Sequence, residues 1–452
     1  MVKAPDWTFL TVHPVGGSLL APGETEMLYQ TQELDLRRGT LTRTNRYRDS
    51  AGRTTFITSR QFQSLAHPHL AVLEATVDAE NWSGDVVVVS AVNGAVANRN
   101  AVADSHLATH HLLAVGGSLI DDETVLWESR TSQSGISIAT ALRCRLHEES
   151  GVKVPSRYRP LFEAGRAGFE ITFFLERGRP VVVAKTVAVA TSRDRALSTA
   201  SEAARQRIRR APGAVPILAT HVRAWKELWD DFAIQLGAGR QQSQAMNVDT
   251  FHVPQTVAAA GPDLDAGLPA RGLHGEGYRR HIFWDELFIF PMLALRRSGI
   301  TRSLLMNSYR RLDEARAAAQ SMGVVGALFP WQSGSDGREA TPVALFNVRD
   351  QQWMPDNSHR QRHVGLAVAY NVWQYFQASR DFEFLVAYGA ELLVEVARFL
   401  ASLATLDSVG GRFSINNVMG PDEFHDGYPW QPGGGVHNNA YTNVLASWPP
   451  GS

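Results

Sequence analysis

Apolar and polar positions along this chain follow two different periods. In residues 1 to about 190 they alternate, as in "HLAVLEATVDAENW" (69–82) and "FEITFFLERG" (169–178). A third run, "PVVVAKTVAVATS" (180–192), is rich in β-branched residues and begins at a proline. Alternation with a period of two indicates half-buried strands, and turn sequences such as "VNGA" and "ERGRP" separate the runs. This part of the chain is predicted to form a large antiparallel β-sandwich.

The period lengthens to three or four residues after about position 195. In the segment 216–237, Leu218, Val222 and Trp225 recur at this spacing, which predicts an amphipathic helix. Further helices are predicted at 196–213, 241–259, 284–297, 301–321, 358–379 and 382–405, with another beginning near 438. The loops between them are long and rich in Trp, Gly and charged residues. Long loops in a compact domain usually carry function.

The order of these two patterns predicts a multidomain chain with a β part followed by an α part. We place a β-sandwich domain at 1–194, a helical linker at 195–237 and a helical domain at 238–452. The helix at 216–237 lies between the two parts and is expected to act as a rigid connector.

Composition narrows the class of protein. Of the 452 residues, 44% are apolar and 20% are charged, and the formal net charge is −1. This balance allows large buried cores and gives no support for a broad basic face that binds nucleic acid. Cys144 is the one cysteine in the sequence, which excludes an internal disulfide and a cysteine-ligated metal site.

The sequence carries no sign of export or of membrane insertion. The stretch "MVKAPDWTFLTVHPVGG" lacks a continuous apolar core and a small-residue cleavage site, so we expect neither a signal peptide nor a membrane anchor. No apolar run is long enough to span a bilayer. The "NWS" at Asn81–Ser83 matches a glycosylation acceptor, which we interpret as chance because no secretion signal accompanies it. The expected compartment is the cytoplasm.

Three loop regions in the helical part share one composition, in which Trp or Tyr stands beside Asp, Glu, Asn, Arg or His. They are "GLHGEGYRRHIFWDELF" (272–288), "GALFPWQSGSDGREATP" (326–342), and "INNVMGPDEFHDGYPW" (415–430) followed by "HNNAYTN" (437–443). A sugar has apolar C–H faces, which aromatic rings cover, and hydroxyls, which carboxylates, amides and guanidinium groups bind in fixed directions. The loops therefore favour a neutral polyhydroxylated ligand over a nucleotide.

Four blocks in these loops carry a family resemblance. In chain order, "GEGYRRHIFWDE", "FPWQSGSDGREATP", "VMGPDEFHDGYPW" and "NNAYTN" resemble the signatures of glycoside hydrolase family 65, which contains maltose, trehalose and kojibiose phosphorylases and related hydrolases. The resemblance implies an N-terminal antiparallel β-sandwich, a helical linker and an (α/α)6 barrel. It also implies a chain truncated at both ends, without the first strands of the sandwich and without the C-terminal half of the barrel.

The resemblance assigns Glu423, the glutamate of the "GPDE" block, as the general acid. A glycosidic oxygen is a poor leaving group unless it is protonated as the bond breaks, and a carboxylic acid supplies that proton. Repulsion from Asp422 and desolvation by aromatic rings are expected to favour the protonated form. Asp422, His425 and Asp426 would orient the loop or contact sugar hydroxyls. The plainer alternative is a polar turn in which Asp422 caps a helix.

Further site residues follow from the same resemblance. Trp284 and Asp285 would line the subsite of the cleaved glucosyl unit, with Asp285 on its hydroxyls. Substrate-binding roles are also expected for Trp331, Gln332, Glu339 and Asn439. The structural alternatives are a buried Trp284 beside a helix-capping Asp285, a simple turn in the second block, and an ordinary polar helix start at Asn439. Tyr441 is expected on that helix, which would point into the site.

The motif "HRQRH" places His359 and His363 four residues apart, and we expect both on one helix face. That spacing occurs in zinc sites, but the glutamate of a metalloprotease helix is missing, so we predict no metal site. Arg360 and Arg362 would make a solvated or loop-anchoring face. No glycine-rich nucleotide fingerprint follows a strand, and no cofactor is expected.

The expected function is an inverting α-glucoside phosphorylase. It would cleave an α-linked glucose disaccharide with inorganic phosphate as co-substrate and give β-glucose 1-phosphate, with Glu423 as the acid. Two alternatives stay open. One is an inverting hydrolase of the same family, which needs a second carboxylate roughly 6.5–9.5 Å from the acid. The other is an inactive sugar-binding fragment. The resemblance implies homodimers as one assembly state, and neither a nucleic acid nor a membrane is an expected partner.

Overall fold

The computed structural model describes residues 3–98, 108–195, 198–237, 239–258, 264–273, 277–421 and 425–448, with Arg280 described by its backbone alone. Two compact units are present. One takes its residues from 2–98 and 109–251, and the other from 252–452. The first unit contains the large β-sheets, and the second contains most of the helices.

Twelve strands form two antiparallel sheets in the described part of the first unit. The strands are β1 (Leu10–Pro14), β2 (Glu26–Asp35), β3 (Thr40–Arg48), β4 (Thr54–Gln63), β5 (Leu70–Ala79), β6 (Gly84–Asn93), β7 (Leu112–Asp121), β8 (Thr124–Thr131), β9 (Ser137–Glu148), β10 (Ser156–Glu163), β11 (Arg166–Leu175) and β12 (Val181–Thr191). The smaller sheet has the order β1-β6-β11-β10, and the larger has the order β2-β3-β4-β5-β12-β9-β8-β7.

The core of this unit lies between the two sheets because the strands alternate. On β5, Leu73, Ala75 and Val77 belong to the cluster that fills the sandwich, whereas Leu70 and Val72 belong to a second cluster on the opposite face. Successive side chains of a strand point to opposite faces, so an alternating sequence produces one core face and one outer face. The predicted antiparallel sandwich is confirmed.

Two helices cover the outer face of the larger sheet. They are α1 (Ala200–Arg210) and α2 (Ala214–Phe232). Ala204, Ile208 and Ile217 on these helices are buried in the same cluster as Val72 of β5. The segment expected to be a linker therefore packs on the sheet, and the domain boundaries given above stay predictions.

The remaining described α-helices are α3 (Arg240–Val257), α4 (Glu286–Arg296), α5 (Ser298–Tyr309), α6 (Leu312–Ser321), α7 (His363–Ser379), α8 (Phe382–Phe384), α9 (Ala390–Leu403) and α10 (Ala440–Ala446), and a π-helical segment (Leu385–Gly389) joins α8 to α9. Two short hairpins accompany them, β13 (Ala344–Asn347) with β14 (Gln352–Pro355) and β15 (Thr405–Asp407) with β16 (Arg412–Ser414). Helix α7 packs against α4, α5, α9 and α10 and is buried over most of its surface. A helix that is apolar around most of its circumference occupies the core, and α7 is the centre of the second unit.

The single helix predicted at 301–321 is two helices, α5 and α6, with a break at Arg310–Arg311. Arg311 has non-helical angles (φ −112°, ψ 15°). Its buried guanidinium donates to the Asp265 carboxylate and to the carbonyl of Ser335. A buried guanidinium requires acceptors, so we attribute the break to these contacts, which are distant in sequence.

The helix predicted at 358–379 begins later, at His363. Residues Ser358–Arg360 form one 3₁₀ turn instead. The Arg360 carbonyl accepts a hydrogen bond from Met419 N at 3.1 Å, so this carbonyl serves a loop and not the helix. A tertiary contact therefore sets where α7 starts.

The two histidines of "HRQRH" do not share a helix face. His359 is exposed in the 3₁₀ turn, and His363 is fully buried in the first turn of α7. The expectation that both lie on one face is wrong, because a change of helix type between them alters the angular spacing.

The order of the two units confirms the predicted fold class, an antiparallel β-sandwich followed by a helical region. Within the described ranges, every helix is too short or too polar to cross a bilayer. The cytoplasmic location stays a prediction.

A buried lysine joins the two sheets. Lys185 on β12 is fully buried, and its Nζ donates to the carbonyls of Phe9 and Ala91 at 2.8 Å each. Ala91 lies on β6 and Phe9 directly precedes β1, so these bonds cross the sandwich. Burial lowers the pKa of Lys185 to about 7, because the core disfavours the charged ammonium.

We predict that the first unit becomes more stable as the pH rises from about 7 towards 10.5. In this window Lys185 holds a proton in the unfolded chain and lacks it in the folded chain, so unfolding takes up a proton and higher pH opposes it. The gain in the free energy of unfolding is on the order of a few kcal/mol. Urea unfolding followed by far-ultraviolet circular dichroism at several pH values measures it.

The matched variants are Lys185→Met and Lys226→Met. Lys226 lies exposed on α2 and pairs with Asp230 at 2.7 Å, so its replacement leaves the wild-type dependence on pH in place. Lys185→Met flattens that dependence. Equal slopes in the wild type and in Lys185→Met would contradict the assignment.

Candidate active site

Four rings from separate segments form one aromatic cluster in the second unit. The ring centroid of His363 lies 4.6 Å from Trp284, 5.6 Å from Trp331 and 5.5 Å from Tyr441. Trp284 lies 6.5 Å from Trp331 and 6.0 Å from Tyr441. Most of these pairs meet edge to face, which the charge distribution of aromatic rings favours. The fold thus brings the first and second tryptophan loops together with the start of α10.

His363 brings an imidazole ring into the aromatic cluster. It is fully buried, and neither ring nitrogen has a hydrogen-bond partner among the described residues. Burial lowers its pKa to about 4, so the ring is neutral at neutral pH. A buried polar group without a partner costs about 1–3 kcal/mol. A water or a ligand hydroxyl that reached these nitrogens would recover that cost.

The second loop is braced by its own glutamate. Glu339 Oε2 accepts from Trp331 N at 2.9 Å, and Oε1 accepts from Thr341 N at 3.1 Å and from Thr341 Oγ1 at 2.5 Å. Gln332 Nε2 donates to Ala340 O at 2.9 Å. Trp331 and Gln332 are buried, and Glu339 is exposed. In the structure these polar side chains position the Trp331 ring, and their contact with sugar hydroxyls stays a prediction.

An ion pair fastens the same loop. Arg311 donates to the two oxygens of Asp265 at 2.8 and 2.9 Å, and to the carbonyl of Ser335 at 2.6 Å. Asp265 also accepts from Asn307 Nδ2 at 3.0 Å. Burial acts to raise the pKa of Asp265, but the hydrogen bonds and the charge of Arg311 outweigh it and hold that pKa well below its usual range. The loop that carries Trp331 is therefore anchored from a second direction.

A small cavity adjoins the aromatic cluster, lined in part by Trp284, Glu286 and Asn371. Glu286 is buried and accepts from Leu268 N at 2.9 Å. Burial raises the pKa of Glu286 to about 8, so its carboxyl is protonated at neutral pH. The Asn371 Oδ1 is buried and has no partner among the described residues. The cavity wall is thus polar but uncharged on this side.

Asp285 stands half-buried at the start of α4. Burial raises its pKa, because the low-dielectric surroundings disfavour the carboxylate. Asp285 occupies the N-cap position of α4, but its side chain makes no capping hydrogen bond. Its expected role on sugar hydroxyls stays a prediction.

The "GPDE" block lies partly outside the described residues. Asp422 and Glu423, the expected general acid, fall in this gap. On its two sides, Gly420 N donates to His425 O at 3.0 Å, which closes the loop. A Cβ on Gly420 would overlap His425 Nδ1 and lie 3.0 Å from Asn439 Nδ2. Gly420, the exposed His425 and Asn439 therefore meet at one point.

Asn439 caps helix α10. Its Oδ1 accepts from Thr442 N at 3.1 Å, as a polar N-cap does. The helix that it begins carries Tyr441 into the aromatic cluster. The structure therefore has both features that were considered for this segment. Asn439 is a polar helix start, and α10 carries Tyr441 towards the candidate site.

The rest of the third loop is tied to the segment before α7. Asn357 Nδ2 donates to Asp426 Oδ2 at 2.8 Å, and the Arg360 guanidinium donates to Gly433 O at 2.6 Å. Gly435 N donates to Asp426 O at 2.7 Å. Arg360 thus anchors the loop. This was one of the two roles expected for it from the sequence.

Three residues of this site, His363, Arg311 and Glu286, were not assigned to it from the sequence, although His363 was named in another context. His363 directly precedes the apolar run "VGLAVAY", and Glu286 stands inside "FWDELF", so an apolar context was the available signal for burial. Arg311 sits in a segment of helical composition and has no such signal. Within the part of the chain that the structure describes, no group of three or more His, Cys, Asp or Glu side chains could hold a metal ion.

Comparison with known families decides the membership of the chain. Residues 1–228 match the "Glycosyl hydrolase family 65, N-terminal domain", and residues 247–449 match the "Glycosyl hydrolase family 65 central catalytic domain". The chain belongs to glycosyl hydrolase family 65. The resemblance carried by the four loop blocks is confirmed.

Two relatives are longer than this chain. It is 44% identical over 448 residues to an uncharacterized glycosyl hydrolase of Mycobacterium tuberculosis, covering 99% of this chain and 34% of the relative. It is 32% identical over 459 residues to a kojibiose phosphorylase of Thermoanaerobacter brockii, covering 99% of this chain and 57% of the relative. The chain therefore spans between about a third and just over half of these proteins.

A solved structure has the same fold. A kojibiose phosphorylase-like protein from the human microbiome superposes with a TM-score of 0.83 at 20% identity, covering 98% of this chain and 54% of that chain. At this identity the likeness concerns the fold alone. It agrees with the β-sandwich followed by a helical region described above.

We predict that Gly420→Ala destabilises the second unit by roughly 1–3 kcal/mol. The added methyl group would overlap the His425 ring and crowd the Asn439 side chain, so these side chains or the loop that carries His425 must move. Gly334→Ala is the matched control, because a Cβ at Gly334 meets no atom within 4 Å. Thermal unfolding and amide hydrogen exchange of residues 415–443 measure the two variants. Equal stability and equal hydrogen exchange in both variants would show that the close approach at Gly420 does not affect the stability of the second unit.

Proposed function

We propose that the protein is an inverting α-glucoside phosphorylase. In this proposal it cleaves an α-linked glucose disaccharide with inorganic phosphate and releases β-glucose 1-phosphate and a free sugar. The observation that carries the proposal is the convergence of the three loops, since Trp284, Trp331 and Tyr441 share one cluster. The helix of Tyr441 begins at Asn439, beside Gly420 of the "GPDE" block. The 32% identical kojibiose phosphorylase supports the same reaction class.

The groups around the aromatic cluster suit a glucosyl unit. Trp284 is half-buried and offers ring surface to the C–H face of a sugar. Asp285, half-buried beside it, can accept hydrogen bonds from hydroxyls. The unpartnered ring nitrogens of His363 would bind a hydroxyl directly or through a water. A neutral ligand needs no further charged side chain, because hydrogen bonds and ring contacts can bind it.

The chemical step needs one protein acid. Glu423 would donate its proton to the glycosidic oxygen as the bond between that oxygen and the anomeric carbon breaks, and the bonding electrons stay on the oxygen. A phosphate oxygen forms the new bond to the anomeric carbon from the opposite face, so an α-glucoside gives a β-phosphate. The leaving sugar departs neutral because it carries the proton of Glu423.

Phosphate and water differ in what they require. Phosphate is already an anion at neutral pH, whereas water needs a second carboxylate as base, roughly 6.5–9.5 Å from the acid in inverting enzymes. Burial raises the pKa of Glu286 to about 8, so this carboxyl is protonated and unsuited to be a base at neutral pH.

We predict that Glu423→Gln lowers kcat by roughly 10²–10⁴-fold, the usual contribution of a general acid. KM changes little, because the amide keeps the shape of the carboxyl. The measurement is release of glucose 1-phosphate from kojibiose, trehalose and maltose. Glu383→Gln, an exposed carboxyl on α8, serves as the control and keeps the wild-type rate. Unchanged turnover in Glu423→Gln would rule out this residue as the acid.

We also predict that turnover requires inorganic phosphate and that the first product detected by proton nuclear magnetic resonance is the β-phosphate. Phosphate supplies the nucleophile, so the rate saturates with its concentration and falls to background without it. Glucose release at the same rate without phosphate would establish the hydrolase alternative. Sugar binding measured by calorimetry without any turnover would establish the sugar-binding fragment.

A further inference from the structure

We infer that Tyr428 and Trp430 form a stacking platform for the leaving sugar, the unit bonded to the glycosidic oxygen on the side away from the cleaved glucosyl unit. The inference rests on the proposed function and adds a second sugar-binding site to it. Its ligand class is a neutral hexopyranose, which would also be the acceptor sugar in the reverse reaction.

The two rings of the platform are parallel. Their centroids lie 4.9 Å apart, and their planes differ by 2°. Tyr428 packs against the small hydrophobic cluster of Ile415, Val418 and Val436, whereas Trp430 is 79% exposed. One face of the indole therefore covers Tyr428, and the other face is open to solvent.

The platform is held in place although it is exposed. Gln431 N donates to Tyr428 O at 2.8 Å and Tyr428 N donates to Gln431 O at 3.3 Å, so Pro429 and Trp430 form the two-residue tip of a turn. The Tyr428 hydroxyl accepts from His437 N at 3.1 Å. Proline restricts the backbone of this turn. A ring that is already oriented loses little conformational entropy when a ligand stacks on it.

The position of the platform on the chain indicates which ligand it would contact, the leaving sugar or the phosphate. Trp430 follows the expected acid Glu423 by seven positions on one loop, and the Gly420–His425 hydrogen bond closes the start of that loop. A general acid must reach the glycosidic oxygen, to which the leaving sugar is bonded. The phosphate of an inverting reaction approaches from the opposite face. Groups on the acid's loop therefore lie on the chain near the residue that must reach the leaving sugar, which favours that sugar over the phosphate as their ligand.

The chemistry around the platform suits a pyranose ring. The flat open face of Trp430 matches the C–H face of a sugar, and polar side chains stand at neighbouring positions of the same loop. Gln431 and His437 are exposed there, and Asp426 is half-buried. These side chains offer both donors and acceptors for the hydroxyls at the rim of the ring.

The test is calorimetric titration of the full chain with two ligands. One is a disaccharide, with kojibiose, trehalose and maltose used in turn, which would reach the platform, and the other is β-glucose 1-phosphate, which would fill the cleaved-unit subsite. We expect Trp430→Ala to weaken disaccharide binding by roughly tenfold and to leave β-glucose 1-phosphate binding unchanged. Trp430→Phe keeps most of the affinity because it keeps a flat ring.

Phe413→Ala is the matched control. Phe413 is 69% exposed on β16, and its removal is expected to change neither affinity. Unchanged disaccharide affinity in Trp430→Ala would overturn the platform and leave the proposed function intact. A wild-type chain that binds neither ligand would overturn both.

A second copy of the chain could cover the indole face instead of a sugar. Sedimentation at the protein concentrations used for titration tests this alternative. We expect the wild type and Trp430→Ala to sediment alike. An oligomer that dissociates in Trp430→Ala would show that protein covers the indole face, and the sugar platform would then be wrong.

Discussion

The segment from Asn357 to His363 is the constraint on which the candidate site depends. Arg360 binds the third loop through both its carbonyl and its guanidinium. The buried ring of His363 contacts the tryptophans of the first and second loops. Because this segment is a 3₁₀ turn followed by the first turn of α7, its backbone and side chains reach all three loops. A helix that began at 358 would use the same carbonyl internally.

Two titratable groups of the site, Glu286 and His363, are held in their uncharged forms. Glu286 is protonated and His363 is neutral at pH 7, because burial raises the pKa of the first to about 8 and lowers that of the second to about 4. The strong ion pair of this region, between Arg311 and Asp265, fastens a loop instead. Such surroundings suit an uncharged, hydroxyl-rich ligand, which hydrogen bonds and ring faces can bind.

Side chains in the same loops divide into those that shape the site and those that are placed to contact a ligand. Glu339 uses its oxygens on the backbone and the hydroxyl group of its own loop, so its main effect is on the position of Trp331. Trp430, by contrast, leaves one ring face open on a well-supported turn. A motif names both kinds of residue alike, because it records which residues recur together and not where their atoms point.

By itself, the sequence determined the β-sandwich, because alternation along β5 and β12 is a local pattern that directly places side chains on two faces. It also pointed to Trp284, Asp285 and Trp331 through motifs. Tertiary structure alone decided the break at Arg311 and the late start of α7, since both depend on partners far away along the chain. It likewise decided the burial of His363 among three rings, because burial and the pKa shift that follows from it are properties of packed neighbours and leave no periodic signal in the sequence.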